Sequence, residues 1–361
     1  MNHKERFKKA LMLEQTDKLS HGDQMIHDLL VAKITKQPFP GDDGNALARW
    51  MGEAMTDENY LRHKKARGFL GLDWVQVFPR EVETQREVTT EGAIRFKDVW
   101  GAVHLVKGET SHISENPIRD EDSILSYEFP NVDDFDYCNI KRWVDDGEFA
   151  VAAQLDTGFF KISQLTGFEE YMLYITEKKS EMHTLMEKFV EFEIKMADNL
   201  IDMGVDVIWL SDDNCYNSGP FMSPQSMWDF DFKYLKRIVE HIHSRNTLCT
   251  LHCCGNINQT IKLMIETGVN GIHSIQPSAG NDIYAYKREY GKDICLIGNI
   301  DINRLMPEGS PYEVDQKVKE MVEKLYYDRR GWILSTTNLL GYDSPLENVI
   351  TLHLAAEKYG R

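Results

Sequence analysis

The stretch Thr250-Leu251-His252-Cys253-Cys254-Gly255-Asn256 holds the densest set of reactive side chains in this sequence. It follows a short β-like run, Asn246 to Leu251, and precedes an amphipathic segment expected to be helical from Ile257. His252 and Cys254 are two positions apart, so on an extended backbone their side chains share a face while Cys253 points away. An imidazole nitrogen beside a thiolate sulfur suits zinc better than a hard, oxygen-seeking ion. The plain alternative is a pair of half-buried cysteines beside a core histidine, because no second Cys-x-x-Cys pair supports a metal.

Further polar groups stand where other strands are expected to end. Val205–Ser211 leads into Asp212-Asp213-Asn214-Cys215, two carboxylates and a thiol, with helix capping and loop solvation as the alternative role. A run ending at Ile275 is followed by Gln276, a run ending at Gly298 by Asn299, and the last strand by Thr336-Thr337-Asn338. Phe159, Phe160, Trp209, Tyr216 and Phe221 lie near such ends and are candidate walls of an aryl pocket, although most aromatics at these positions are core.

Those ends need a scaffold. Expected strands are Phe149–Leu155, Val205–Ser211, Thr247–His252, Gly271–Ile275, Ile294–Gly298 and Trp332–Ser335, with Lys18–Ile26 and Leu72–Phe78 ahead of them. Amphipathic helices separate them. Glu177 to Met203 carries apolar residues at helical spacing. Pro224 opens a helix running to about His243, and Asn256 is expected to cap Ile257–Thr267, which Gly268 ends. Repeated strand-helix units imply parallel strands with right-handed crossovers, and polar residues gathered after the strands favour a (β/α)8 TIM barrel over an open sheet. No Gly-x-Gly-x-x-Gly follows a strand, so a dinucleotide fold has no support. Residues 3–14 read as a basic amphipathic helix. Glu83–Thr89 and Ala93–Val106 flank Glu91-Gly92 as a β-hairpin insertion, about residues 80–108, at the barrel rim of one domain spanning 1–361.

Of the 361 residues, 42% are hydrophobic and 27% charged, an ordinary globular balance. The formal net charge of −17 comes without a basic face, which argues against a nucleic-acid partner. No apolar run approaches the roughly 18–20 residues of a membrane span, and Met1 to Phe7 has no secretion core, so a cytoplasmic protein is expected. Six cysteines in a chain this long fit reduced thiols rather than a disulfide framework.

Four stretches resemble the uroporphyrinogen decarboxylase superfamily, and within it the cobalamin-dependent methyltransferases. They are Lys4 to Leu11, the segment from Asp212-Asp213 to Ser223-Pro224, His252 to Asn256, and Gly298-Asn299-Ile300-Asp301 with the closing Ser344-Pro345-Leu346-Glu347-Asn348. The resemblance implies a (β/α)8 barrel with its pocket at the C-terminal strand ends. It also implies zinc held by the His-x-Cys pair, here His252 and Cys254, and by one later cysteine. That cysteine falls at Asn338. Cys215, Asp213 or Asp212 is then the substitute, with Asp213, Asp212 and Asn338 as catalytic candidates. Asp23, His27, Tyr216, Gln276 and Asn299 are the substrate-binding candidates.

The decarboxylase branch fits less well, because its members grip tetrapyrrole carboxylates with an arginine-rich segment after the first strand. Here no arginine occurs between Arg6 and Arg49. The function implied is methyl transfer from a small methylated substrate to cobalt. The Asp-x-His-x-x-Gly pattern of cobalamin-binding domains is absent, so the corrinoid must sit on a partner protein. Fewer thiolates leave zinc more electrophilic, which favours a methyl ether, best a methoxy-aromatic, as donor. A metal-independent decarboxylase acting through Asp213 or Asp23, and a non-catalytic scaffold, are the alternatives.

Overall fold

The computed structural model describes residues 1–37, 56–82, 84–107 and 110–361. Eight parallel strands form one sheet. They are β1 (Ser20–His21), β2 (Trp74–Val77), β3 (Ala150–Asp156), β4 (Val207–Asp212), β5 (Leu248–Cys253), β6 (Gly271–Ser274), β7 (Cys295–Ile297) and β8 (Trp332–Leu334). Their order is β1-β8-β7-β6-β5-β4-β3-β2. At the seam the Asp73 amide donates to the His21 carbonyl, so the sheet curls into a nearly closed (β/α)8 barrel.

Strand alternation sorts side chains into two cores. Trp74, Ala150, Ala152, Val207, Trp209, Cys295, Ile297 and Ile333 pack inside the barrel. Val151, Ala153, Ile208, Leu210, Cys249, Leu251 and Cys253 face outward into the layer beneath the helices. The helix His3–Leu11, with Asn2 accepting from the Glu5 amide as its N-cap, presents Phe7, Ala10 and Leu11 to the inner core. Phe7 stacks on Trp74 at 5.3 Å and Trp74 on Trp209 at 5.0 Å, which fills the barrel floor.

Three local expectations are corrected. The helix after β5 starts at Ile261 rather than Ile257. Asn256 does not cap it, because its Oδ1 accepts from the Asn258 amide and its Nδ2 donates to the Ala279 carbonyl, which holds a turn ahead of the helix. The run 93–106 is broken where Asp98 accepts from the Ala102 amide and Gly101 takes φ 88°. The insertion is thereby a four-stranded antiparallel sheet, Thr84–Val88, Ile94–Lys97, Val103–Lys107 and Thr110–Glu115, larger than a hairpin; positions 83 and 108 of the expected insertion lie outside the described residues. The helix opened by Pro224 contains a π-turn over Trp228–Phe232 before continuing to Ser244. Insertions of that kind gather at functional sites.

Candidate metal centre at the barrel mouth

Register places the reactive groups. Ser211 of β4 pairs with Asp156 of β3 on one side and His252 of β5 on the other, and His252 pairs with His273 of β6. Two residues beyond Ser211 and His252 on the same parity come Asp213 and Cys254. Asp213, His252 and Cys254 each offer a ligand atom, and the three atoms lie within 4.8 Å of one another. His252 Nε2 is 3.3 Å from Cys254 Sγ and 3.8 Å from Asp213 Oδ1. A tetrahedral ion with bonds of about 2.0–2.3 Å separates its ligands by roughly 3.3–3.8 Å, so this donor set fits zinc. Asp213 is half exposed, which leaves the outer side of the trio open to the mouth.

The imidazole is prepared for such a role. His273 Nε2 lies 2.9 Å from the Thr336 carbonyl, which can only accept, so Nε2 carries the proton. Burial, with the neighbouring His252 adding to it, drives the His273 pKa well below the usual histidine value and keeps it neutral, with a lone pair on Nδ1. His252 Nδ1 stands 2.6 Å from His273 Nδ1 and must be the donor. The Nε2 lone pair of His252 therefore faces Cys254 and Asp213. Burial lowers the His252 pKa to about 4, so this tautomer is neutral at physiological pH.

Burial, then the Asp213 charge, pushes the Cys254 thiol up to about 12. Asn338 Nδ2 donates to its sulfur at 3.2 Å, and the amide orientation is fixed because Asn338 Oδ1 accepts from the Leu339 amide at 2.7 Å. Gly255 lets the chain turn directly after Cys254. It has φ 83°, and a Cβ there would lie 2.6 Å from the Cys215 carbonyl oxygen. Burial raises the Asp213 carboxyl, while the Cys254 amide, donating to Asp213 Oδ1 at 3.3 Å, opposes that rise.

Several expected site residues have other work. Cys215 is not with the trio. Its thiol is buried against Asn214 Oδ1 and Thr260, because the chain leaves β4 and folds back over the outer layer. Asp212 lies on the outward parity and is fully buried. Asn214 Nδ2 donates to Asp212 at 2.5 Å and to Asp231 at 3.0 Å, so this carboxyl belongs to a structural cluster behind the mouth. Gln276 accepts from the Gly255 amide and donates to Ser278, and Asn299 donates to the Ile275 carbonyl, so both hold loops. His27 caps the helix Asp28–Thr35 through Nδ1. Tyr216 is half exposed at the rim and stacks on Phe221 at 5.1 Å.

Asp23 is buried rather than open to a substrate. Its Oδ1 accepts from the Thr336 amide and hydroxyl, and its Oδ2 is 2.9 Å from His353. It thereby fixes the strand end whose carbonyl orients His273. Of the expected aryl walls, Phe160 lines a cavity at the mouth, while Phe159 is buried against Tyr171 and Trp209 belongs to the barrel floor. The sequence reading missed His273, Asp231, Lys161 and Glu193. Glu193 sits four residues after Phe189 on the apolar face of Lys179–Met203, and that placement was its available signal.

The sequence matches the uroporphyrinogen decarboxylase (URO-D) family over residues 101–359, well over half of the chain. The chain belongs to that family. Among similar proteins is a methylcobamide:CoM methyltransferase of Methanosarcina barkeri, 25% identical over 201 residues, covering 55% of each chain. A uroporphyrinogen decarboxylase of Trichodesmium erythraeum is 29% identical over 170 residues, covering 46% of this chain and 45% of that one. The chain thus spans about half the length of the curated relatives it matches. A solved methyltransferase from Methanosarcina mazei superposes with a TM-score of 0.71 over 99% of both chains at 20% identity, which supports the URO-D barrel. Among the described residues no helix is long and apolar enough to cross a membrane.

Proposed function

We propose that this chain moves a methyl group from a small methyl ether, best a methoxy-aromatic, to the cobalt of a separate corrinoid protein. The observation carrying this reading is the Asp213–His252–Cys254 trio, with its bare imidazole lone pair facing a thiol at the open barrel mouth. The relatives named as methylcobamide methyltransferases support the same reaction class.

Asp213, His252 and Cys254 would hold zinc, which would supply Lewis-acid polarisation of the ether oxygen. In the transfer, the cobalt(I) electron pair forms the cobalt–carbon bond as the carbon–oxygen bond breaks. The aryloxide leaves with that bonding pair and takes a proton from water. The residues tune this step. A carboxylate donates less electron density than a second thiolate, and the Asn338 N–H on Cys254 withdraws some from the remaining sulfur. Both features favour polarising an ether over storing a nucleophilic thiolate.

The test is to mix the protein with a reduced corrinoid protein and separate panels of methoxy-aromatics, methylamines and methylthiols. Conversion of the cobalt(I) spectrum to methyl-cobalt(III) with an aryl ether, lost in Cys254→Ser, is expected. No methylation from any donor by zinc-supplied protein would refute the reading.

A further inference from the structure

A cavity of about 510 Å³ opens between the barrel mouth and the four-stranded sheet, within the usual size of a small-molecule site. The trio of metal candidates is not on its wall. Asp156 is, and Asp156 and His252 flank Ser211 in register, two strand spacings or roughly 10 Å apart on the inward face. A para-substituted benzene ring, hydrogen-bonded at one end and metal-bound through its ether oxygen at the other, covers that span.

The wall has two characters. Phe78, Trp100, Phe135, Phe160 and Phe192 make it aromatic. Among them stand Glu81, Asp98, Asp156 and Glu193, with Lys161, His104 and His112 as basic groups. The basic groups are largely committed. Lys161 Nζ is 3.0 Å from Asp156 and 3.5 Å from Glu81, and lies over the Trp100 ring at 4.3 Å. His104 is 2.7 Å from Asp98.

Glu193 is different. It is 2% exposed, and its Oε2 has no hydrogen-bond partner among the described residues. Desolvation, reinforced by Asp156 and opposed by Lys161, holds this carboxyl well above the ordinary range. A buried polar atom without a partner is costly unless a ligand completes it.

We infer that this cavity binds a neutral hydroxylated aryl ring of the methoxyphenol class, with Glu193 hydrogen-bonding the ring hydroxyl, and that it rejects carboxylated aromatics. A ligand carboxylate would meet Glu81, Asp98 and Asp156, whose partners Lys161 and His104 are already engaged. The inference rests on the methyl-ether reading above and narrows its donor.

The test is isothermal titration calorimetry of the zinc-supplied full chain, without the corrinoid protein, using 4-methoxyphenol, methoxybenzene and 4-methoxybenzoate. 4-Methoxyphenol should bind, with 4-methoxybenzoate at least tenfold weaker. Glu193→Leu should weaken 4-methoxyphenol about tenfold and leave methoxybenzene within about twofold, while Glu193→Gln keeps most of the affinity. Asp156→Asn should narrow the discrimination against the benzoate. Equal or tighter binding of 4-methoxybenzoate, or an equal effect of Glu193→Leu on both neutral ligands, would overturn the inference. The two readings fail separately. 4-Methoxyphenol that binds with these preferences but gives cobalt no methyl sinks the transfer reading and leaves the binding site. Methyl transfer from an aliphatic methyl ether, with no aryl ether bound, does the reverse.

Discussion

Replacing His273 with leucine tests the preparation of the metal centre without touching a ligand. In the parent protein Thr336 fixes the proton on His273 Nε2, and His273 Nδ1 then draws the His252 proton to Nδ1. Leucine removes the acceptor, so His252 is free to carry its proton on Nε2, the nitrogen needed for zinc. The lost hydrogen bond is worth about 1 kcal/mol. Removing an orienting partner of a metal-bound histidine costs about 10–100-fold in affinity, or roughly 1.4–2.8 kcal/mol. Zinc affinity, measured by competition with a chromophoric chelator at pH 7.5, should fall by that factor in His273→Leu. His273→Gln should recover most of the loss, since its amide can donate to Thr336 and accept from His252. Circular dichroism and thermal melts establish that each variant is folded. A folded His273→Leu protein that holds zinc as tightly as the parent would refute the tautomer argument, as would a glutamine variant no better than leucine.

Asn338→Cys would place a second thiol against Cys254, in place of an amide that donates to its sulfur. Zinc should bind more tightly and methyl-ether cleavage should slow, both read on the same preparation; faster cleavage would contradict the electrophilicity argument. Burial works against the charge of Asp23, yet His353 and Thr336 outweigh it and hold the pKa at about 2. Because this is below the unfolded value of about 3.9, the carboxylate contributes stability on the order of 2 kcal/mol above pH 4, lost as pH falls through about 2. The urea-stability gap between the parent and Asp23→Asn should therefore shrink between pH 5 and pH 2, and a gap constant with pH would show that Asp23 acts otherwise. Gly255→Ala should cost about 2–4 kcal/mol in melts, since both its φ and the Cys215 carbonyl oppose a Cβ.

The barrel strands were legible because strands buried on both faces read as continuous apolar runs that stop abruptly at polar residues. Val205–Ser211 before Asp212 and Trp332–Ser335 before Thr336 are of this kind. His252 and Cys254 stood out through period two alone. The insertion was less legible. Its strands carry exposed polar residues on one side, and a turn built from the Asp98 side chain leaves no proline or Asn-Gly mark. His273 was hidden because a histidine between Ile272 and Ser274 reads like any core residue until β5 supplies its partner. Glu193 and Asp231 each had a signal in an acidic residue set among apolar neighbours on a helix.

Parity also explains why Asp213, rather than Asp212, joins His252 and Cys254, while the turn after β4 carries Cys215 away to Asn214 and Thr260. Beyond Ser211, alternation sends Asp212 outward with Cys253, its register partner on β5, and Asp213 inward. The outward compartment has its own logic. Asp212 and Asp231 are both buried, and burial followed by the Asp231 charge lifts Asp212 well above the ordinary carboxylate range. Two such carboxyls cannot both ionise cheaply, so the pair holds a proton between them beside the Asn214 amide. Asn214 Oδ1 also receives the thiols of Cys215 and Cys253, and Asp231 Oδ1 accepts from the Phe159 amide. This cluster ties the end of β4, the 214–216 turn, the π-turn and the helix Gly158–Thr166 into one block. Asp213 projects from that block, with Lys161 of the cavity wall on its helix. The same anchor that keeps Asp212 and Cys215 out of the mouth thus positions both the metal candidate and the cavity beside it.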